Sequence, residues 1–115
     1  MIDYTKQICE ACRFDAPEVP NKEIESFLNQ NLGWELSKDV NFKQLKKSFL
    51  FKDFILAQKF SNLIGELAES EGHHPSLLVE YGKVTVRWWS HKINSLHKND
   101  LILSAKTDEI RAKFD

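Results

Sequence analysis

The strongest constraint on the fold is an alternation of residue types on both sides of one glycine. Apolar side chains recur at every second position through residues 77–81 and again through 84–88, with Tyr81-Gly82 or Gly82-Lys83 at the turn between them. Alternation with period two turns one face of a strand toward a core, and glycine between two such strands is typical of a tight turn. The pattern predicts a β-hairpin and, with it, an antiparallel sheet.

Three of the four histidines flank this hairpin. His73 and His74 precede its first strand, and His91 follows its second. Because a hairpin returns the chain to its starting point, the three imidazoles are predicted to share one neighbourhood. Imidazole titrates near neutral pH and can serve as acid or base, so the cluster predicts a proton-transfer site. Two other interpretations stay open: a turn with nothing bound, or a zinc site in which Glu69 joins the three histidines.

A helix is predicted immediately upstream, over residues 53–70. Its apolar residues fall at helical spacing, Asp53 suits the N-terminal cap, and Gly72 followed by Pro75 is typical of a helix end. Glu69 lies in the last turn, where the helix dipole disfavours a carboxylate. It is predicted to be either simply solvated or held by a donor, such as one on a ligand.

The first half of the chain supplies one helix and two strands. Residues 22–31 carry an apolar stripe after Asn21, the predicted cap, and this helix is expected to end near Gly33. A strand begins at Trp34, and a longer strand covers residues 41–51.

Lys43 and Lys47 share the parity of the apolar residues in the longer strand. This predicts either that they lie at an exposed end of the strand or that a bulge changes its register. With Lys46 they form a basic cluster. A solvated strand face is the favoured interpretation of this cluster, and contact with an anionic substrate or nucleic acid is the alternative.

A closing helix is entered through residues 95–100 and runs to about Phe114. His97 and Asp100, three residues apart, fit the spacing of a capping box. Asp100 is predicted to cap this helix, to orient a histidine by accepting its ring N–H, or both.

The element order is therefore α-β-β-α-β-β-α, within a single domain spanning residues 1–115. Antiparallel hairpins with helices collected on one face predict an α+β fold: a four-stranded antiparallel sheet with three helices packed on one face. A sheet of four strands leaves two edges, and Trp88 and Trp89 add apolar surface, so pairing of two copies into a dimer is expected.

The composition excludes several classes of protein. Apolar residues at 42% and aromatic residues at 11% are too abundant for a disordered chain, and 16 basic residues against 17 acidic ones argue against a protein built to hold nucleic acid or an anionic membrane. No apolar run approaches the roughly 20 residues of a membrane span, and the first residues lack the features of a signal peptide. A cytoplasmic protein is expected.

Cys9 and Cys12 form a single C-x-x-C pair. A zinc site would need two more ligands, and a thioredoxin-like motif would need a strand before and a helix after, whereas Pro17 and Pro20 follow. Two reduced thiols are the favoured interpretation, with metal binding or a redox function as the alternative.

Several separated blocks of this chain occur in the same order in a known family. They are Gly33-Trp34, residues 42–54, Glu69, His73-His74-Pro75, Ser90-His91 and Asp100. This set resembles the signature of the pterin-4a-carbinolamine dehydratases, and residues 9–17 resemble the bacterial members. The resemblance covers residues 9–108, nearly the whole chain.

The resemblance implies a fold of the predicted kind and a dehydratase that removes water from a 4a-hydroxytetrahydropterin, giving quinonoid dihydropterin, with no cofactor. It implies that His73, His74 and His91 form the catalytic set, with His73 and His91 as acids or bases and His74 holding the substrate. The implied substrate-binding residues are Glu69 at the amino-pyrimidine edge, Trp34 stacked on the ring or in the core, Ser90 and Asp100.

The chain departs from the family pattern at three positions. Gly72 stands where some relatives have Asp, which removes any contribution of that acid. Ser90 replaces the common Thr and keeps the hydroxyl, and His97 stands where Ser or Thr usually caps the last helix.

The resemblance also implies partners and an alternative function. A pterin would be the substrate, with phenylalanine hydroxylase as a partner that supplies it, and relatives are dimers or tetramers. Relatives in animals also act as dimerisation partners of a homeodomain transcription factor. The alternative is therefore a non-catalytic interaction protein or transcriptional cofactor, but such a protein has no need of three convergent imidazoles.

Overall fold

The computed structural model describes residues 2–9, 16–37 and 42–114, and these residues form an α+β fold. After a short 3₁₀ helix (Tyr4–Lys6), the elements in chain order are α1 (Asn21–Gln30), β1 (Glu35–Ser37), β2 (Gln44–Leu50), α2 (Phe54–Glu71), β3 (Ser76–Glu80), β4 (Lys83–Trp88) and α3 (Lys98–Ala112). The predicted order of helices and strands is confirmed. The 3₁₀ helix is an addition that sequence analysis did not predict.

The strands form one antiparallel sheet in the order β1-β2-β4-β3. The predicted hairpin is β3 and β4, with Glu80 paired to Lys83 around Tyr81 and Gly82. Gly82 has φ +70°, and a Cβ there would lie 2.9 Å from the carbonyl oxygen of Phe51. The turn therefore requires glycine.

One face of the sheet packs against α2 and α3, and the core lies between them. Large side chains with little or no exposure fill it: Leu45, Phe49, Phe60, Ile64, Val84, Val86, Trp88 and Leu101. Trp88 is fully buried and Trp89 is half-buried. The expectation that both tryptophans add surface for a dimer is therefore wrong for Trp88, which belongs to the core, and the dimer itself stays a prediction.

Lys47 lies on the core face of β2 although the strand has no bulge. β2 pairs with β4 in one unbroken register, and Lys47 Nζ donates to Asp108 Oδ1 at 2.7 Å and to the Leu32 carbonyl oxygen at 3.0 Å. The same carboxylate accepts the indole N–H of Trp34 at 2.9 Å. Neither the exposed strand end nor the bulge predicted from the sequence applies to Lys47. Its charge on the core face is instead compensated by the ion pair with Asp108 of α3.

The predicted helix caps are confirmed at two helices and wrong at one. Asp53 caps α2 by accepting from the Leu56 N–H at 2.9 Å, and His97 with Asp100 forms the capping box of α3. Asn21 is the first residue of α1 rather than its cap. Its side-chain oxygen instead accepts from Lys43 Nζ at 2.9 Å, at the predicted exposed end of the strand.

Across the described ranges, no helix combines the length and the apolar character needed to cross a lipid bilayer.

Candidate active site

Three chain segments meet at the open end of the hairpin. Gly72 ends α2 in a left-handed conformation (φ +62°, ψ +31°), and this turns the chain so that His73 and His74 lead into β3. After β4, Ser90 pairs with Ser95 in an isolated bridge that directs the chain into the start of α3. The end of α2, the hairpin and the first turn of α3 therefore form one corner of the molecule.

A buried hydrogen-bond network centres on Asp100. Its Oδ1 accepts from His73 Nε2 at 2.6 Å, and its Oδ2 accepts from the Ser90 hydroxyl at 2.7 Å and from the His97 backbone N–H at 2.9 Å. The side chains of His73 and Asp100 are 2% and 0% exposed. A buried carboxylate requires such donors. Asp100 thus both caps the helix and accepts from a histidine ring, the combined role that the sequence left open.

The ring of His73 is also held from its face. It stacks on the indole of Trp88 with 6.0 Å between ring centroids and 15° between planes. Trp88 is itself anchored, because its Nε1–H donates to the Thr107 hydroxyl at 3.0 Å. The position of His73 is therefore set by the core rather than by the surface loop.

His74 and Glu69 form an exposed pair. His74 Nε2 lies 2.6 Å from Glu69 Oε1, and the two side chains are 55% and 79% exposed. Glu69 is thus both solvated and in contact with a donor, and this donor comes from the protein. Because an exposed ion pair contributes little to stability, rearranging the two side chains to contact a ligand would cost little free energy.

His91 is exposed and contacts both His74 and Trp89. Its Nε2 lies 3.0 Å from the His74 carbonyl oxygen, and its ring stacks on the indole of Trp89 with 4.3 Å between centroids. A carbonyl oxygen only accepts hydrogen bonds, so Nε2 carries the proton. In the neutral ring Nδ1 then holds the lone pair that can accept a proton.

A pocket with a volume of about 260 Å³ is lined by Gly72, His73, His74, His91 and Lys92. The three histidines that the sequence predicted to converge therefore do so, and their catalytic role stays a prediction. The sequence motifs do not indicate Lys92 as a pocket residue. The local sign of its place there is that it directly follows His91. The lysine brings a cationic side chain to a pocket otherwise lined by three histidines and Gly72.

Ser90 and Asp100 lie behind this pocket rather than on its wall. Both are buried and neither lines the pocket; Asp100 contacts His73, and Ser90 contacts Asp100. In this arrangement Asp100 supports His73 from behind the pocket, and Ser90 supports Asp100. A direct role in binding stays untested.

Trp34 lies outside the cluster of histidines. It is 5% exposed, its ring packs edge-on against Phe49, and its N–H bonds to Asp108. Asp108 is eight residues beyond Asp100 on α3, about 12 Å along the helix. Of the two predicted positions for Trp34, the structure shows the core position, and a role in binding the ring stays untested.

A larger cavity of about 510 Å³ lies between the N-terminal segment and α3. Tyr4, Asp108 and Glu109 are among its lining residues, and no histidine is. The carboxylate of Asp108 is already bonded to Lys47 and Trp34. The smaller pocket, which is lined by three imidazoles that can transfer protons, is therefore the better candidate active site.

Cys9 is a half-buried free thiol, while Cys12 lies outside the described residues. Burial, with a contribution from the neighbouring carboxylate of Glu71, raises the pKa of the Cys9 thiol to about 12. A thiol that keeps its proton is a poor nucleophile and metal ligand, which agrees with the reduced-thiol interpretation for Cys9. Among the described residues, no three His, Cys, Asp or Glu side chains are arranged to hold a metal ion.

Comparison with known proteins gives the family. Residues 17–110 match the family described as Pterin 4 alpha carbinolamine dehydratase. A protein of Marinobacter nauticus is 48% identical over 110 residues, covering 96% of this chain and 99% of the relative, and one of Saccharophagus degradans is 49% identical over 110 residues, covering 96% and 97%. Both relatives carry the provisional name pterin-4-alpha-carbinolamine dehydratase.

Solved structures show the same fold. A crystal structure described as a transcriptional coactivator/pterin dehydratase from Brucella melitensis is 26% identical, with a TM-score of 0.74 over 82% of this chain and 98% of that one. A pterin dehydratase-like protein described as a RuBisCO assembly factor in the alpha-carboxysome is 19% identical, with a TM-score of 0.59 over 74% and 95%. The second likeness concerns the fold alone.

The described residues thus form a small α+β fold in which three histidines line one pocket. This chain belongs to the pterin 4 alpha carbinolamine dehydratase family. The resemblance to this family and the prediction of a hydro-lyase are confirmed at the level of the family.

Proposed function

We propose that this protein converts 4a-hydroxytetrahydropterin to quinonoid dihydropterin and water by proton transfer among histidines. The observation that carries the proposal is that His73, His74 and His91 line one pocket. The family and the names of the two bacterial relatives support the reaction class.

The reaction requires two proton transfers. A base removes the proton from N5 of the pterin, the electron pair of that N–H bond forms the double bond to C4a, and the C4a–O bond breaks as an acid protonates the hydroxyl. The oxidation state of the system does not change, so the balance needs neither oxidant nor reductant. Imidazoles are suited to both tasks at neutral pH.

His73 and His91 supply the acid and the base in this proposal. Asp100 accepts from Nε2 of His73, which orients the ring and stabilises the imidazolium that forms when the ring takes up a proton. His91 donates Nε2–H to a backbone carbonyl, which leaves Nδ1 as the acceptor. The two rings thus differ in the partner that fixes each tautomer.

His74 and Glu69 hold the substrate in this proposal. Glu69 offers carboxylate oxygens that match the N–H donors of an amino-pyrimidine edge, and its contact with His74 sets the position of both side chains. Ser90 and Asp100 act through His73, and no role is assigned to Trp34.

The biological setting belongs to the same proposal. We expect a cytoplasmic enzyme that acts as a homodimer or homotetramer and recycles a pterin cofactor released by an aromatic amino acid hydroxylase, such as phenylalanine hydroxylase. No direct contact with nucleic acid or membrane is expected.

The test follows the disappearance of 4a-hydroxytetrahydropterin generated in place by a phenylalanine hydroxylase. Acceleration in proportion to the amount of protein added would support the dehydratase. If folded wild-type protein gives no acceleration, the proposal fails, and the non-catalytic interaction protein becomes the better description.

A further inference from the structure

Trp89 and His91 lie face to face at the edge of the pocket. Their ring centroids are 4.3 Å apart and their planes differ by 8°. Trp89 is half-buried and contacts the ring of Phe42 at 5.7 Å, whereas His91 is exposed. An indole that is partly fixed in the protein therefore supports an imidazole that faces solvent.

The stack supplies a constraint that the hydrogen bond of His91 does not. A bond from Nε2 to the His74 carbonyl oxygen fixes one atom of the ring, but the ring can still tilt about that atom. Contact with the indole face fixes the plane as well. The two contacts together determine the direction of Nδ1.

We propose that Trp89 is a positioning residue that holds the imidazole of His91 in the plane from which it exchanges a proton with the substrate. Trp89 is not among the residues lining the pocket, so it acts through His91 rather than on the pterin. The inference rests on the proposed function for its kinetic consequence, while the restraint on the ring is a property of the folded protein alone.

The neighbouring Trp88 does not offer the same test. It is fully buried, stacks on His73 at 6.0 Å and bonds to Thr107, so its removal would open the core. Trp89 is half-buried, and its removal is expected to leave the fold intact.

The experiment compares wild type with Trp89→Leu and Trp89→Phe, and uses Tyr81→Leu as the matched control. Tyr81 is 76% exposed and lies in the turn at the opposite end of the same hairpin, so this control also removes an aromatic ring. Unfolding curves in urea establish that each variant is folded. If Trp89→Leu does not fold, Trp89→Met takes its place, because Met keeps more of the volume without a ring.

The first readout is the proton NMR spectrum of the His91 ring, assigned by its loss in His91→Ala. In wild type the ring current of the stacked indole is expected to shift these resonances upfield. They should move to the position of a free exposed histidine in Trp89→Leu, stay partly shifted in Trp89→Phe and be unchanged in Tyr81→Leu. Unchanged His91 resonances in Trp89→Leu would overturn the proposal.

The second readout is kinetic. Trp89→Leu is expected to lower kcat about twofold to tenfold with little change in KM, the size of effect a ring stack supplies, while Trp89→Phe restores most of the rate. In a His91→Ala background Trp89→Leu should have no further effect, because the residue acts through His91. Equal losses in both backgrounds, or an unchanged kcat in Trp89→Leu, would overturn the proposal. If wild type has no dehydratase activity, the proposed function fails separately and the NMR spectra decide whether Trp89 holds the ring.

Discussion

Asp100 accepts from Nε2 of His73 at 2.6 Å inside the core, and the other oxygen of the same carboxylate accepts from the backbone at the first turn of α3. One buried side chain thus connects a pocket histidine to the start of a helix. Because the two contacts share a carboxylate, the orientation of the imidazole and the stability of the helix are expected to respond together to changes at this position.

Substitution of Asp100 separates the two roles. Asp100→Ala removes the carboxylate that three buried donors share and is expected to lower the free energy of unfolding by about 3–5 kcal/mol. Asp100→Asn keeps the shape but loses the charge, and should lower kcat at least about tenfold with a smaller loss of stability. Urea unfolding and turnover are measured on the same samples. Equal stability of the Ala and Asn variants would contradict this account.

The Lys47–Asp108 pair is expected to respond asymmetrically to substitution. Lys47→Met loses the ammonium that lies 5.0 Å from the centroid of the Phe49 ring, but it places an apolar side chain on the core face and leaves Asp108 bonded to Trp34, so a loss below about 1 kcal/mol is expected. Asp108→Ala removes the acceptor of both Lys47 and Trp34 and should cost about 2–3 kcal/mol. Urea unfolding of the two variants decides this. Equal losses would argue that the ion pair alone, and not the shared acceptor, stabilises this region.

Gly72 tests the left-handed end of α2. Its φ is +62° and a Cβ would meet no atom within 4 Å, so backbone strain is the cost of a side chain there. Gly72→Ala is expected to lower the free energy of unfolding by about 1 kcal/mol, and Gly72→Asn by less, because Asn adopts this conformation more readily. Thermal unfolding of both variants measures the difference. A larger loss for Asn than for Ala would show that space, rather than strain, is limiting.

Two groups with raised pKa values, the Cys9 thiol and the Tyr4 phenol, predict a loss of stability at alkaline pH. Burial raises the pKa of the Cys9 thiol from 9.0 to about 12, and burial with the nearby Glu23 raises the pKa of Tyr4 from 10.0 to about 12. Both groups hold their protons more tightly in the folded state, so their stabilising effect is complete below pH 9 and is lost as the pH rises toward 12.

The measurement is the free energy of unfolding in urea as a function of pH, for wild type and for the double variant Cys9→Ala with Tyr4→Phe. The decline above about pH 9 should be shallower in the variant, since the groups that cause it are gone. Parallel pH profiles of the two proteins would mean that other groups account for the alkaline loss.

The hairpin and the histidine cluster could be predicted because their signals are local. Period-two alternation and one glycine specify β3 and β4, and a hairpin necessarily brings His74 and His91 to the same end. The capping position of Asp100 could be predicted for the same reason, since its spacing of three residues from His97 fits a capping box.

The features that sequence analysis missed depend on contacts between distant parts of the chain. Lys47 is tolerated on the core face because Asp108, 61 residues later, supplies a carboxylate, and no local pattern contains that pairing. Asn21 is of a residue type typical of a helix cap, but its side-chain oxygen accepts a hydrogen bond from Lys43 instead. The stack of Trp89 on His91 joins residues only two apart, yet the sequence does not reveal side-chain orientation past the end of a strand.

Histidines on this pocket are proposed to carry out a dehydration without a metal. The most direct measurement is the rate of loss of 4a-hydroxytetrahydropterin with wild type, His73→Ala and His91→Ala, each with and without a chelator. Tyr81→Leu serves as the control, because Tyr81 is 76% exposed in the turn of the hairpin and does not line the pocket. The account predicts a wild-type acceleration that survives the chelator and falls about 100-fold or more in the two pocket variants. Folded pocket variants with the wild-type rate, or a wild-type rate abolished by the chelator, would contradict it.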